Sequence, residues 1–257
     1  MLFLHRIKQW FKQYFWIRNS CCVEIVDECS GAPLCRCCLF ETKLLDMNMK
    51  ASVILHAVFL LLPIVSISAQ DRIELKNPSF DSDAAQMGKT PEGWIDLGVE
   101  NSSPVDIQPG FWDVTLPAQD GRNFVAMVVR ENNTWEGIGQ VLEGWMRKDS
   151  TYSFSVWLAK SRIYMSPSPN SNGEILNFKA PTVLKIWGYN TSTRAEELLA
   201  ESQPVGIAAW TKYTFVFTPR IADYDEIDLV AYYAKGQEGK NGNLLLDNCS
   251  AIIQVPK

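Results

Sequence analysis

The chain has 257 residues, 47% of them apolar and 21% charged, with a net charge of −5 and nine tryptophans. That apolar fraction builds a core and excludes a disordered chain, and the length fits one large domain or two small ones. The acidic balance excludes a nucleic-acid binder held by phosphate contacts.

In chain order, residues 1–46 are compositionally odd. They hold Cys21, Cys22, Cys29, Cys35, Cys37 and Cys38, six of the seven cysteines. A metal or disulfide cluster is one reading. The adjacent pairs at 21–22 and 37–38 do not give the C-x2-C spacing of a zinc site. The other reading is an over-long start, spurious or disordered, with translation beginning at Met47 or Met49. Residues 47–69 read as a secretory signal peptide. Lys50 supplies the basic end, Val53 to Ile67 the apolar stretch, and Ala69 a cleavage point before Gln70. A membrane anchor is the competing reading. Ala51 to Ala69 spans only 19 residues and is interrupted by His56 and Pro63, marginal for crossing a bilayer. The expectation is a mature form with no membrane span, secreted or at the cell surface (a periplasm included), from a bacterium.

The mature piece is residues 70–257. Without the first 69 residues, which carry seven of the 24 cations and five of the 29 acids, 188 residues remain at a formal charge of −7. Cys249 is its one cysteine, and it has no histidine, because His5 and His56 both lie upstream. Ser-His-Asp hydrolysis, Cys-His chemistry and His-ligated metals are therefore excluded. Carboxylate catalysis, or no catalysis, is left.

Period-two alternation of β-branched and aromatic residues predicts strands nearly throughout. They fall at 124–130, 137–142, 152–158, 182–189, 212–218, 226–233, 243–247 and 251–255. Turn clusters separate them at 117–121, 166–173 and 235–242. The stretch Arg194-Ala-Glu-Glu-Leu-Leu-Ala-Glu201 reads either as a short helix or as a further strand. Some eight strands without interleaved helices predict an all-β, antiparallel two-sheet jelly-roll sandwich.

Five segments in order resemble the family 4/9/22 carbohydrate-binding modules, which are galactose-binding-like jelly rolls. Asn77-Pro-Ser-Phe-Asp81 with Pro91-Glu-Gly-Trp94 is similar to that family's opening. Arg130-Glu-Asn-Asn-Thr-Trp-Glu-Gly-Ile-Gly-Gln-Val-Leu142 resembles its R-x(3–4)-W-x-G-x-x-Q-x-L block. Ser150 to Lys160, Ala209 to Phe217, and Leu244-Leu-Leu-Asp-Asn248 follow in register. The likeness spans about residues 75–255. Departures are Asp149-Ser150 in place of a usual Gly, a long 166–173 loop, and Cys249 after the closing Asp-Asn. The resemblance implies a glycan ligand bound without chemistry, and a structural calcium at the motif carboxylates Asp81 and Asp247, near the joined chain ends.

Sugar rings stack their C–H faces on indoles and phenols, and their hydroxyls need polar partners. Parity puts Leu184 and Ile186 on one face and Lys185, Trp187 and Tyr189 on the other. It likewise sets Ile227, Leu229, Ala231 and Tyr233 against Asp228, Val230 and Tyr232. Trp187 and Tyr232 therefore face out. The resemblance adds Trp135, a stacking position in relatives, with Arg130 and Glu136 as polar partners. Trp94, Trp157 and Trp210 read as structural, and Trp112 as a loop residue near the binding edge. The leading expectation is a secreted, non-catalytic carbohydrate-binding domain whose partner is a polysaccharide or other glycan. A structural or adhesion domain on the same fold is the alternative. A glycosidase or lyase using Glu136, Glu143 or Asp228 lacks any motif that pairs them. Asn101, Asn132, Asn190 and Asn248 begin Asn-x-Ser/Thr triplets, glycan acceptors only in a eukaryotic export route.

Overall fold

The computed structural model describes residues 71–98 and 104–256. The expected extension at 1–46 and signal peptide at 47–69 lie outside the described residues. In chain order the strands are β1 (Arg72–Ile73), β2 (Ile95–Asp96), β3 (Asp106–Gln108), β4 (Phe124–Val129), β5 (Gly137–Met146), β6 (Tyr152–Ala159) and β7 (Met165–Pro167). They continue as β8 (Ile175–Asn177), β9 (Thr182–Tyr189), β10 (Glu196–Glu201), β11 (Thr211–Phe217), β12 (Tyr224–Tyr233), β13 (Gly242–Asp247) and β14 (Ile252–Gln254). The expected all-β antiparallel sandwich is what forms.

One sheet has seven strands in the order β1-β14-β6-β13-β4-β3, with β11 on the other side of β6; the second runs β10-β9-β12-β5-β2. Every pairing within them is antiparallel. The first and last strands are neighbours, Arg72 opposite Ile253. The stretch 194–201 is strand, not helix. Glu196–Glu201 takes the free edge beside β9, with a register shift at Leu198/Ala200; ladder bonds there outweigh the helix preference of Glu, Leu and Ala. The long 166–173 loop is the tip of a β7–β8 hairpin, turning through a 3-10 turn at Pro169–Ser171.

Alternation builds the core. Val125, Met127 and Val129 of β4, Phe154, Val156 and Leu158 of β6, and Leu244 and Leu246 of β13 point inward. They meet Ile138 of β5, Leu184 and Ile186 of β9, and Ile227, Leu229, Ala231 and Tyr233 of β12. The inward parities of β9 and β12 are those read from the sequence. β4 is buried at all six positions because its other face is covered too. Phe124, Ala126 and Val128 pack with Leu245, Tyr164, Phe178 and Val114 in a second apolar cluster, flanked by Trp112, Leu116 and Trp210. The loops at 109–118 and 161–180 thus lie over the seven-stranded sheet. Asn243, wholly buried, ties the second of them down. Its Oδ1 accepts from Ser161 N at 2.7 Å, and its Nδ2 donates to Phe178 O at 2.7 Å and Ser161 O at 3.2 Å. The outer face of the five-stranded sheet is the one where the candidate aromatics stand.

Candidate functional site

The connection from β4 to β5 is a tight turn, in which Arg130 N donates to Thr134 O and Asn133 N to Arg130 O. It crosses from one sheet to the other and carries Trp135 to the start of β5. Gly137 faces Val230 across the β5–β12 ladder, so two residues further along Trp135 comes opposite Tyr232. Their rings meet edge-on at 5.4 Å and 64°. Lys185 of β9 sets its ammonium 3.7 Å from the Tyr232 ring centroid, a cation–π contact. The same ammonium lies 3.8 Å from Glu201 Oε2 of β10. Trp187 is two residues along β9 from Lys185, opposite Asp228 on one side and Leu198 on the other. Trp135, Tyr232 and Trp187 are all half-buried. Strand parity puts them on one face, where Trp135 and Tyr232 meet and also pack against the core cluster, and Trp187 stands apart, four ladder positions along β9 from Val183, the residue opposite Tyr232.

β5 presents only glycine to the middle of this face. A Cβ on Gly139 would lie 2.6 Å from Asp228 Oδ1 and 3.2 Å from side-chain carbons of Ile95 and Leu97. The missing side chain is what lets the Asp228 carboxylate lie across β5. The centre of the face is closed, with Asp228 at 0% and Val230 at 2% exposure; the sequence reading had placed both outward without foreseeing that burial. Further along β5, Val141 and Trp145 are exposed, and Trp145 stacks with the Arg147 guanidinium at 5.4 Å. Sequence reasoning passed over Trp145 because the strand was ended at Leu142; extended by four residues, its alternation would have turned that ring out.

Arg130 and Glu136 do not join the rings. Adjacent strand residues point to opposite faces, so Glu136 turns away from the side Trp135 takes. It is 2% exposed, pairs with the Arg130 guanidinium, and accepts from Val128 N at 3.0 Å. Beside it sits Asp106, whose Oδ2 accepts from Tyr164 OH at 2.6 Å and Trp112 Nε1 at 2.7 Å. Burial pushes the Glu136 carboxyl up to about 8, against the opposing pull of Arg130 and with a further push from Asp106. Burial, then the same carboxylates, holds the Tyr164 phenol well above its ordinary value. The carboxylates considered for catalysis are placed apart. Glu136 is in this network, Glu143 pairs with Lys76 at the surface at 3.0 Å, and Asp228 lies across β5.

Asp81 and Asp247 hold one loop from two sides. Asp81 Oδ1 accepts from Arg122 N (2.7 Å) and Asn123 N (3.1 Å). Asp247 Oδ2 accepts from Gln119 N (2.7 Å) and Asp120 N (3.0 Å), and its Oδ1 from Asn248 N (2.7 Å). Burial raises Asp247 to about 6 despite those N–H donors. With Asp120 the loop gathers hard oxygens of the kind calcium takes. Among the described residues, however, no three His, Cys, Asp or Glu side chains stand grouped as a metal site. Trp94 is a core residue, tilted on Phe80 at 5.2 Å. Trp210 stands edge-on to Phe124 at 5.3 Å, Trp157 is half-buried, and the Trp112 indole is held by Asp106. Of the Asn-x-Ser/Thr sites, Asn190 and Asn248 have their amides bonded to Asp223 O and Gln119 Oε1. Asn132 is exposed, and Asn101 lies outside the described residues.

No family model and no curated protein matches the chain. Among solved structures, the chain is similar to a cyclase from Fischerella sp. TAU in complex with 4-(1H-indol-3-yl)butan-2-one (TM-score 0.48, 15% identity), where the match covers 72% of this chain and 98% of that one. The chain is also similar to a family 61 carbohydrate-binding module in complex with β-1,4-galactotriose (TM-score 0.39, 13% identity, 70% and 98% covered). A third is the CBM22-1 xylan-binding domain of Paenibacillus barcinonensis Xyn10C (TM-score 0.39, 11% identity, 69% and 100% covered). No helix among the described residues is long and apolar enough to cross a membrane.

Proposed function

We propose that the protein is an exported, non-catalytic carbohydrate-binding domain that holds a glycan on the outer face of its five-stranded sheet. The observation that carries this is the grouping of Trp135, Tyr232 and Trp187 on one face, with the Lys185 ammonium beside the Tyr232 ring. Indole and phenol surfaces take the C–H faces of pyranose rings, and Lys185 and Glu201 lie within reach as polar partners for hydroxyls. The test is retention of the purified protein in gels containing a panel of neutral and acidic polysaccharides. Retention by at least one of them, lost in Trp187→Ala, is expected.

The closed centre of the face, at Asp228 and Val230, favours a second reading: a structural or adhesion domain of the same fold working through protein contacts. That reading gains if no polysaccharide retards the protein. We further propose calcium between Asp81 and Asp247, with backbone carbonyls of the 117–123 loop and water as its other oxygens. When bound, the ion would fasten that loop to the chain ends.

A further inference from the structure

On the far side of the sandwich, over the seven-stranded sheet, lies a pocket of about 530 Å³ lined by Asp113, Thr115, Leu116, Pro117, Lys160, Ser161, Arg162, Ile163 and Ala208. Its volume is within the range of small-ligand sites, roughly 300–1,000 Å³. Three segments build its walls, and each is fixed. Ser161 N is held by the buried Asn243. Lys160 N donates to Ile207 O at 3.0 Å, bringing the 207–208 segment alongside. The 112–116 segment enters through two successive residues in the left-handed region, Trp112 (φ 56°) and Asp113 (φ 60°). Such backbone costs of order 1–3 kcal/mol per residue and gathers at ligand sites.

The charge of this pocket opposes that of the domain. Lys160 and Arg162 line it, and Lys179 stands next to it, because Lys160 Nζ donates to Lys179 O at 2.7 Å. None of these three cations takes part in an ion pair among the described residues. Asp113 is the one acid in the lining. Burial lowers the Lys160 ammonium, with Lys179 adding a like-charge push, as expected for cations held together without a counter-charge. Of the remaining lining, Leu116, Pro117, Ala208 and Ile163 are apolar, the last 45% exposed, and Thr115 and Ser161 are polar.

We infer that this pocket is a second carbohydrate site, selective for a sugar carrying an anionic group. Arg162 and Lys160 take the anion, and the apolar wall takes the ring. The anion is either a uronate carboxylate or a sulfate ester, since a guanidinium fork and an ammonium suit both. That a sugar carries the anion rests on the glycan-binding reading above, while the pocket itself is separate from the aromatic face on the opposite sheet.

The test is affinity electrophoresis of the purified protein in polygalacturonate, dextran sulfate and neutral dextran, at low and at high salt. A domain with net negative charge is repelled by polyanions, so retention by one of them reports a local cationic site. Retention by polygalacturonate alone assigns a uronate, and by dextran sulfate alone a sulfated sugar. Retention should weaken at high salt, as exposed charge pairs are screened. Arg162 is exposed, so Arg162→Glu is expected to keep the wild-type melting temperature and to bind the retained polyanion at least tenfold more weakly. Lys235→Glu, the same charge reversal at an exposed lysine outside both sites, should leave that binding unchanged. Equal binding by Arg162→Glu and wild type would overturn the inference, as would polyanions retained no better than neutral dextran.

Discussion

Substituting Glu136→Gln converts a proton-binding group at the heart of the Arg130–Asp106–Tyr164 network into one that cannot titrate. The folded state holds the Glu136 proton up to about pH 8, whereas its ordinary value is 4.5. Between those values the folded state binds more protons than the unfolded chain, so stability falls as pH rises. The contribution is complete below about 4.5, declines through the window, and is gone above about 8. One proton sets a slope of at most about 1.4 kcal/mol per pH unit, and the whole window a ceiling of about 5 kcal/mol. Asp247, raised to about 6 by burial, adds a loss of the same sign at lower pH, but wild type and variant share it. Urea unfolding of both proteins at pH 5, 6, 7 and 8 isolates the Glu136 part. At pH 5 the variant should be the less stable by about 1–3 kcal/mol, because Gln keeps its one oxygen for Val128 N and turns its NH2 toward the Arg130 guanidinium that Glu136 Oε1 accepts from. By pH 8 wild type should have lost at least about 2 kcal/mol relative to the variant. If Glu136 were ionised throughout, its loss would leave Arg130 buried without a counter-charge, costing about 3–5 kcal/mol at every pH. A deficit of that kind, flat with pH, would refute the reasoning.

Three further outcomes are expected. In Gly188→Ala the new Cβ would stand 2.6 Å from the ring of Tyr224, which is fully buried and bonded through its hydroxyl to Glu197 at 2.9 Å; overpacking should cost about 2 kcal/mol in urea unfolding. Cys249 is a free, buried thiol, pushed well up by burial and then by Asp247; it should react with a thiol reagent only at the rate of unfolding, and prompt labelling would contradict that placement. Calcium added after chelation should raise the melting temperature of wild type by several degrees and leave Asp247→Asn unmoved; no shift would mean that the N–H donors alone hold the 117–123 loop.

The long strands were legible because alternation persists over seven or more residues in segments such as 182–189 and 226–233. The same alternation placed Leu184, Ile186, Ile227 and Leu229 inside. β1, β2, β3, β7 and β8 are two or three residues long, too short to show a period. β10 was ambiguous because its residues favour a helix locally and only pairing with β9 decides otherwise. For the site, parity brought Trp187 and Tyr232 to one face, and the motif brought Trp135. Arg130 and Glu136 were grouped with Trp135 by nearness in sequence, although strand geometry separates Glu136 from its neighbour. Asp106 could not be read at all: its role depends on Tyr164 and Trp112, 58 and six residues away in the chain. The cationic pocket was equally hidden, since its walls come from three segments far apart in the chain, of which Asn243 holds one at Ser161.

The most direct measurement is a calorimetric titration of an oligosaccharide from the retained polysaccharide into wild type, Trp187→Ala and Trp210→Ala. Trp187 lies on the aromatic face outside the core cluster, and Trp210 packs on Phe124 behind the opposite sheet. The account predicts that Trp187→Ala binds at least tenfold more weakly, about 1.4 kcal/mol, while Trp210→Ala binds as wild type does. Equal affinity in wild type and Trp187→Ala would contradict it.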